Sequence, residues 1–388
     1  MSGRTQGAAA LRAELPKPFE SGRRRCEPLA RKGIVLLLAF STAGILAESL
    51  LRIFFPRLSP RTAAITQFWQ YDPSLGWSHI PNSSGSFNAF GHKTPVSINS
   101  KGFRDLERTY DRDPSKYRIV VLGDSIVWGY GVQRDGIFTT LMEKQRRDIE
   151  VINLGVSGYG TDQEFILFQQ EGSCYRPDLV VLVLVDNDLQ TNVQRSVYLA
   201  YQKPVFAFAR DHRLTVMNSP VPPQGIWERA VSRLIRHSFA LNLVASAYYR
   251  FKIGFLSLGP TAEGYTINLP FPRDPEEKIT VALLFEIQRV AHGIGAEFLV
   301  VLADRMERQG REMEEFLKSR HVRVISLDPS FPKPESPALH LPDGVHWSAL
   351  GHRRAADRLL KYLEDENLTP HRSQLSLGRR PSGQSVCK

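Results

Sequence analysis

The sequence predicts a three-layer α/β/α body on a five-stranded parallel sheet, preceded by one N-terminal membrane helix. Three observations carry that expectation: five short Val/Ile/Leu runs, helical patterns that alternate with them, and one long apolar stretch behind a basic flank. The runs are RIVVLG (118–123), VINLG (151–155), PDLVVLVLV (177–185), EFLVVLA (297–303) and VRVISLD (322–328). Apolar runs of this length without alternation fit strands covered on both faces. Helical stretches lie between them. One starts near Asp162. Another opens at Asp274-Pro275-Glu276-Glu277, which supplies an N-cap, a first-turn proline and acids suited to the helix dipole. Its apolar positions Val281, Leu284, Ile287, Val290 and Ala291 recur at helical spacing. Two more cover Arg305–Lys318 and Ala349–Leu363. Strands alternating with helices call for a parallel sheet with helices on both faces.

The apolar stretch sets the compartment. Residues 33–47, GIVLLLAFSTAGILA, hold no charge. As a helix they span roughly 22 Å, short of a hydrocarbon core of about 30 Å. Counting through Phe55 closes that gap and leaves Glu48 and Arg52 at the outer interface, where a long arginine snorkels. The preceding RRRCEPLARK places the N-terminus in the cytoplasm and the body outside, periplasmic or at the cell surface. A cleaved signal peptide is one alternative, but cleavage after Ala47 would put bulky Ile45 where a small residue is preferred. A buried core helix is the other, and the basic flank argues against it.

The expected organisation is a disordered basic tail (1–32), a signal anchor (33–55), an extension of short strands and loops (57–116), the main domain (117–368) and a disordered polar tail (369–388). An insertion at about 190–270 interrupts the main domain, and its segment 226–252 reads as helical. It is either part of a cap over the substrate or a lateral elaboration.

Charge narrows the function classes. The net charge is +10, but residues 1–32 carry +5 and residues 369–388 carry +4, which leaves +1 on 33–368. The body therefore lacks the field that would gather a nucleic acid, and no nucleic-acid partner is expected. Three cysteines, Cys26, Cys174 and Cys387, show neither metal spacing nor a disulfide framework. Cys174 is expected as a buried free thiol. A metal site from Asp186, Asp188, Asp304 and His292 has no metal-type spacing behind it, so neither metal nor cofactor is expected.

Reactive groups in an open parallel sheet gather past the carboxyl ends of its strands. Four stretches meet that condition: Gly123-Asp124-Ser125, Asn153-Leu154-Gly155-Val156-Ser157-Gly158, Asp186-Asn187-Asp188, and Asp343-Gly344-Val345-His346. GDSIVWGYG lacks the G-x-G-x-x-G of a dinucleotide site, and no G-x-S-x-G elbow surrounds Ser125. Read as chemistry, Ser125 needs a base to become a nucleophile. His346 is the candidate base and later acid. Asp343, three residues earlier, is placed to orient the imidazole and stabilise its cation. Taken alone, an Asp-x-x-His is more often a local surface pair.

With these four blocks in order, the chain resembles the SGNH (GDSL-type) hydrolase superfamily, membrane-anchored bacterial type. GDS at 123–125, NLGVSGYGT at 153–161, ND at 187–188 and DGVH at 343–346 match its Ser, Gly, Asn and His blocks, from about Tyr117 to Leu363 without the insertion. YDPSLGW and INSKGFRD also look like the lead-in of membrane-anchored members. The resemblance implies a flavodoxin-like SGNH hydrolase fold, with an oxyanion hole formed by the backbone N–H of Ser125, the backbone N–H of Gly158 and the amide of Asn187. Gly158 reads otherwise as a turn glycine, and Asn187 as a helix cap or Asx turn. One departure is Val185, where the third block usually has glycine. Trp128 could stack on a sugar, though packing is the commoner role for such an aromatic.

The expected activity is hydrolysis of an O-acyl ester, such as an O-acetyl group, on an extracytoplasmic glycan (polysaccharide) or lipid. The alternatives are O-acyl transfer by the same residues and a non-catalytic glycan-binding or assembly role on a retained fold. The last would be expected to lose Ser, Asn or His, and none is lost.

Overall fold

The computed structural model describes residues 27–55, 67–89, 92–197, 201–241, 243–244, 247, 271–304, 306–331 and 336–369. The expected disordered tails lie outside these, apart from 27–32, which are already helical, and Thr369. Most of the helical reading beyond residue 237 also lies outside them.

Two units make up the chain, Met1–Phe54 and Phe55–Lys388. The first is the helix α1 (Glu27–Phe54), whose apolar part runs from Arg31 to Phe54. Those 24 residues rise about 36 Å, enough to cross a bilayer core. Its two inner charges, Glu48 and Arg52, lie one turn apart and pair at 2.7 Å, so each partly offsets the other's charge.

The second unit is built on strands β5 (Tyr117–Leu122), β6 (Ile149–Asn153), β7 (Leu179–Leu184), β12 (Glu297–Leu302) and β13 (Arg323–Ser326). Their order is β13-β12-β7-β5-β6, and every neighbouring pair is parallel. The five apolar runs of the sequence are these five strands. Period-two alternation divides each strand between two cores. Ile119 and Val121 of β5 join Phe138 and Met142 of α3 (Phe138–Gln145) and Ala355, Leu359 and Leu363 of α9 (Ala349–Asp365). Val120 and Leu122 face the other core, with Phe165 and Phe168 of α4 (Thr161–Gln170), Leu284 and Ile287 of α7 (Pro275–Gly293), and Leu317 of α8 (Glu307–Ser319). Helices therefore cover both faces. Asp274 stands at the N-cap of α7 and Pro275 at its first position, as the sequence suggests.

Two hairpins precede the sheet, β1 (Trp69–Asp72) with β2 (Gly76–His79), and β3 (Ser84–Ala89) with β4 (His92–Ser97). Two short helices follow strand ends, α2 (Ser125–Trp128) after β5 and α5 (Asp186–Thr191) after β7. The region after α5 holds the pairs β8 (Ser196–Val197) with β9 (Tyr201–Gln202) and β10 (Val205–Phe208) with β11 (Leu214–Met217), then α6 (Ile226–His237). Lys203 pins this region to α4 through a fully buried ion pair with Asp162. Burial disfavours both charges, pushing Lys203 down and Asp162 up, so the pair holds only because each partner supplies the other's counter-charge.

Cys174 corrects one expectation. It is disulfide-bonded rather than a free thiol, with its partner outside the described residues. Sequence spacing gave no sign of this, because a disulfide needs proximity in space and not in sequence.

Candidate active site

The site sits at the carboxyl edge of the sheet. β5 ends at Leu122, and the chain turns through Gly123 and Asp124 into α2, with Ser125 as its first residue. Asp124 caps that turn by accepting the N–H of Ile126 at 2.9 Å. Burial pushes the Asp124 carboxyl up, opposed by this hydrogen bond and by His346. Two acceptors lie within reach of the Ser125 hydroxyl, His346 Nε2 at 2.9 Å and Asp124 Oδ2 at 3.1 Å.

His346 arrives from the loop before α9. Its Nδ1 lies 2.7 Å from Asp343 Oδ2, while Asp343 Oδ1 accepts the backbone N–H of Val345 at 3.1 Å and of His346 at 3.2 Å. Burial alone would raise the Asp343 carboxyl, but the hydrogen bond and charge of His346, with the two N–H donors, hold it below its ordinary value. An ionised Asp343 keeps the imidazole proton on Nδ1 and leaves Nε2 as an acceptor for the serine proton. Ser125, His346 and Asp343, more than 200 positions apart at the extremes, are thus brought into one hydrogen-bonded line.

A second Asp–His pair supports the first. Asp304, just past β12, accepts from His340 Nε2 at 2.7 Å and from Trp347 Nε1 at 2.6 Å, and all three residues are buried. His340 and Trp347 form a bridge across the loop, and the N–H of Leu341 donates to His346 O at 2.7 Å. Asp304, offered by the sequence only as a weak metal ligand, is instead the anchor of the loop that carries His346. Among the described residues, no group of three or more His, Cys, Asp or Glu is placed to hold a metal ion.

The oxyanion candidates are placed as follows. Gly155 brings the second block against α2: a Cβ there would lie 2.5 Å from Trp128 N and 2.7 Å from Val127 C, so no side chain fits. Asn153 fastens the same contact by donating to Val127 O at 2.7 Å and accepting the Gly155 N–H at 2.9 Å. Gly158 has φ +83°, a conformation glycine adopts without strain. Asn187 lies in the first turn of α5, exposed, at the end of the strand adjacent to β5. Val185, in the usual glycine position, has φ −114° and ψ 164°. That is extended backbone in which a β-branched residue sits freely, so the departure leaves the path of this block intact. Behind the block, Asp188 accepts the Val185 N–H at 3.0 Å, and burial pushes both Asp188 and Glu164 well above the ordinary carboxyl range.

Sequence reasoning missed the braces supplied by the first hairpin and by the segment that follows the second. Trp77 Nε1 donates to Ser157 O at 3.3 Å, and the Tyr159 hydroxyl donates back to Trp77 O. Gln163 Nε2 donates to Leu75 O at 2.7 Å. YDPSLGW therefore holds the loop that carries Gly158. Arg104, from INSKGFRD, is buried beneath α2 and donates to the carbonyls of Trp128, Gly129, Val132 and Pro95 at 2.6–3.2 Å. Its guanidinium also lies 4.5 Å from the Trp128 ring. Trp128 itself is fully buried, packed on His79 and Phe87. It has no face for a sugar, which corrects that alternative in favour of packing.

The fold and site define a three-layer α/β protein with a Ser–His–Asp line at the carboxyl edge of a parallel sheet. No family model and no curated protein matches the chain. Among solved structures it is similar to a member of the lipolytic protein G-D-S-L family from Veillonella parvula, at 10% identity over 64% of this chain and 98% of that one, TM-score 0.37. It is likewise similar to the esterase EstA from Pseudoalteromonas, at 11% identity over 66% and 100%, TM-score 0.37. A third is a catalytic mutant of the acetylxylan esterase Axe2 from Geobacillus stearothermophilus, at 12% identity over 64% and 94%, TM-score 0.37. The roles assigned below rest on the geometry of this chain and not on these overlaps.

Proposed function

We propose that the chain is a serine ester hydrolase of the SGNH type, tethered to a membrane by α1 with its body outside the cytoplasm. The observation that carries the chemistry is the line Ser125 Oγ–His346 Nε2 (2.9 Å) and His346 Nδ1–Asp343 Oδ2 (2.7 Å). In this reading Ser125 Oγ attacks the acyl carbon as His346 Nε2 takes its proton. The imidazolium, stabilised by Asp343, returns that proton to the departing alcohol oxygen. Water then repeats the sequence on the acyl-serine, which releases the carboxylic acid and restores Ser125. The N–H groups of Ser125 and Gly158 and the Asn187 amide are assigned to the developing oxyanion. Gly155 and Asn153 support this by fixing the second block against the nucleophile's turn.

The substrate is assigned as an O-acyl ester, an O-acetyl group among the smallest, carried on an extracytoplasmic glycan or lipid. The length of α1 supports a membrane span and its basic flank supports that side of the membrane. Labelling with a serine-directed fluorophosphonate tests the reading. Wild-type protein should label, Ser125→Ala should not, and equal labelling of the two would remove Ser125 as the nucleophile.

A further inference from the structure

The helix α6 has no role in the chemistry above, yet it is the most strongly two-faced element of the body. On a helical wheel, Ile226, Trp227, Ala230, Val231, Leu234 and Ile235 fill one half. The sequence puts Glu228, Arg229, Ser232, Arg233 and Arg236 on the other half, three arginines against one acid, while the last position, His237, falls among the apolar ones. The apolar half is left uncovered: Trp227 is 81% exposed, Ile226 71%, Leu234 60% and Val231 51%, and Arg229 and Arg233 of the other half are exposed as well. Leu241, Leu243 and Val244, beyond the helix, are exposed as well. A surface helix of a soluble domain ordinarily buries its apolar half, and an apolar half left exposed marks a surface that binds something.

Charge and chain length say what covers it. An apolar half bearing tryptophan, set against an arginine-rich half, is the pattern of a helix lying in the plane of a bilayer surface. Its apolar residues then enter the acyl boundary and its arginines meet anionic headgroups. The chain also brings the body to such a surface. Twelve residues, 55–66, separate α1 from Gln67, so with α1 in a bilayer the start of the body lies within roughly 45 Å of its face. Tethering at that distance keeps the local concentration of headgroups high and lets a short helix bind that would be weak alone.

We propose that α6 is an interfacial helix that docks the body onto an anionic bilayer surface, with Trp227, Val231 and Leu234 in the acyl boundary and Arg229 and Arg233 on phosphate headgroups. This goes beyond the ester chemistry and does not depend on it.

The tryptophans make the test direct. Of five in the chain, Trp69, Trp77, Trp128 and Trp347 are buried, α1 contains none, and Trp227 is exposed. The full-length protein is reconstituted into vesicles of phosphatidylcholine and phosphatidylglycerol whose acyl chains carry bromine near the interface. The emission of Trp227 is taken as the difference between wild type and Trp227→Phe. Docking requires that this emission be lost to the brominated lipid and be shielded from aqueous iodide. It should return in Arg229→Glu/Arg233→Glu and in vesicles of phosphatidylcholine alone. Trp227 emission that iodide quenches and bromine does not would show the helix in water and overturn the proposal. Emission reached by neither would show it packed on a second copy or on the body, and would overturn it equally. Equal bromine quenching without phosphatidylglycerol would overturn the anionic headgroup as partner. The experiment does not read Ser125, so its failure and a failure of the esterase reading are distinguishable.

Discussion

The Tyr130 ring lies flat against the imidazole of His346, with centroids 4.0 Å apart and planes inclined by 18°. Tyr130 is itself fixed, its N–H donating to Ser125 O at 3.0 Å and its ring meeting the edge of Phe87 at 4.7 Å. The residue that holds the base in plane is thus hydrogen-bonded to the backbone of the nucleophile. Tyr130→Ala should lower kcat on a small aryl acetate by about ten- to a hundredfold through misplacement of His346. Tyr130→Phe, which keeps the stacked ring, should stay near wild type. Steady-state kinetics on both variants check this, and equal losses in the two would assign the effect to the hydroxyl.

Asp304 accepts from both the His340 and the Trp347 ring where they close the loop before α9. Asp304→Leu removes the buried carboxylate to which both rings donate, and a broken buried pair of this kind costs about 3 kcal/mol. Thermal unfolding should report that loss. Turnover should fall as well, with kcat more affected than KM, because the same loop carries Asp343 and His346.

Arg104 satisfies four carbonyls around the exit of α2 while stacking on Trp128. Burial lowers its pKa to about 9, with a smaller push from Arg134, which still leaves it cationic at neutral pH. Arg104→Met fills the space and removes every donor, so destabilisation of roughly 2–4 kcal/mol is expected in urea melts. A midpoint within error of wild type would show that the carbonyls find other donors.

His79 gives the body an acid-sensitive term. Burial lowers its pKa from 6.5 to about 4, with Gly102 O opposing and Arg104 assisting. Between those two pH values the unfolded chain holds a proton on His79 that the native chain does not. Stability therefore falls as pH falls from 6.5 to 4, by about 3 kcal/mol for this residue. His352, lowered to about 3 mainly by burial, adds in the same direction. His79→Gln should make the decline in unfolding free energy between pH 7 and pH 4 shallower, as measured by urea denaturation at each pH.

The sheet was legible because its signal is local. Five uninterrupted Val/Ile/Leu runs can be read without knowing what they touch, and strand ends indicate where reactive groups collect. Ser125, Asp343 and His346 stood out for the same reason: each lies in a short block just past a strand or before a helix. The supports were hidden because their partners are distant in the chain. Arg104 meets residues 24–28 positions away, Trp77 meets Ser157 across 80, and Asp304 meets Trp347 across 43. An arginine in a turn-rich segment ordinarily faces water, so nothing in INSKGFRD marks one that is buried. The adjoining Gly102 and Phe103 are at most a weak hint. Trp128 was ambiguous in sequence and is settled by Phe87 and His79 closing over it. The disulfide at Cys174 depends on folded proximity alone.

Ser125 is proposed to carry the acyl group, and trapping that acyl-enzyme is the decisive test. Full-length protein is mixed with a short aryl acetate, quenched in acid within a turnover, digested and sequenced by mass spectrometry. An acetyl group is expected on Ser125, with a longer-lived adduct in Asn187→Ala than in wild type and none in Ser125→Ala. Continued ester cleavage by Ser125→Ala, or acetyl found on another residue with Ser125 unmodified, would contradict it.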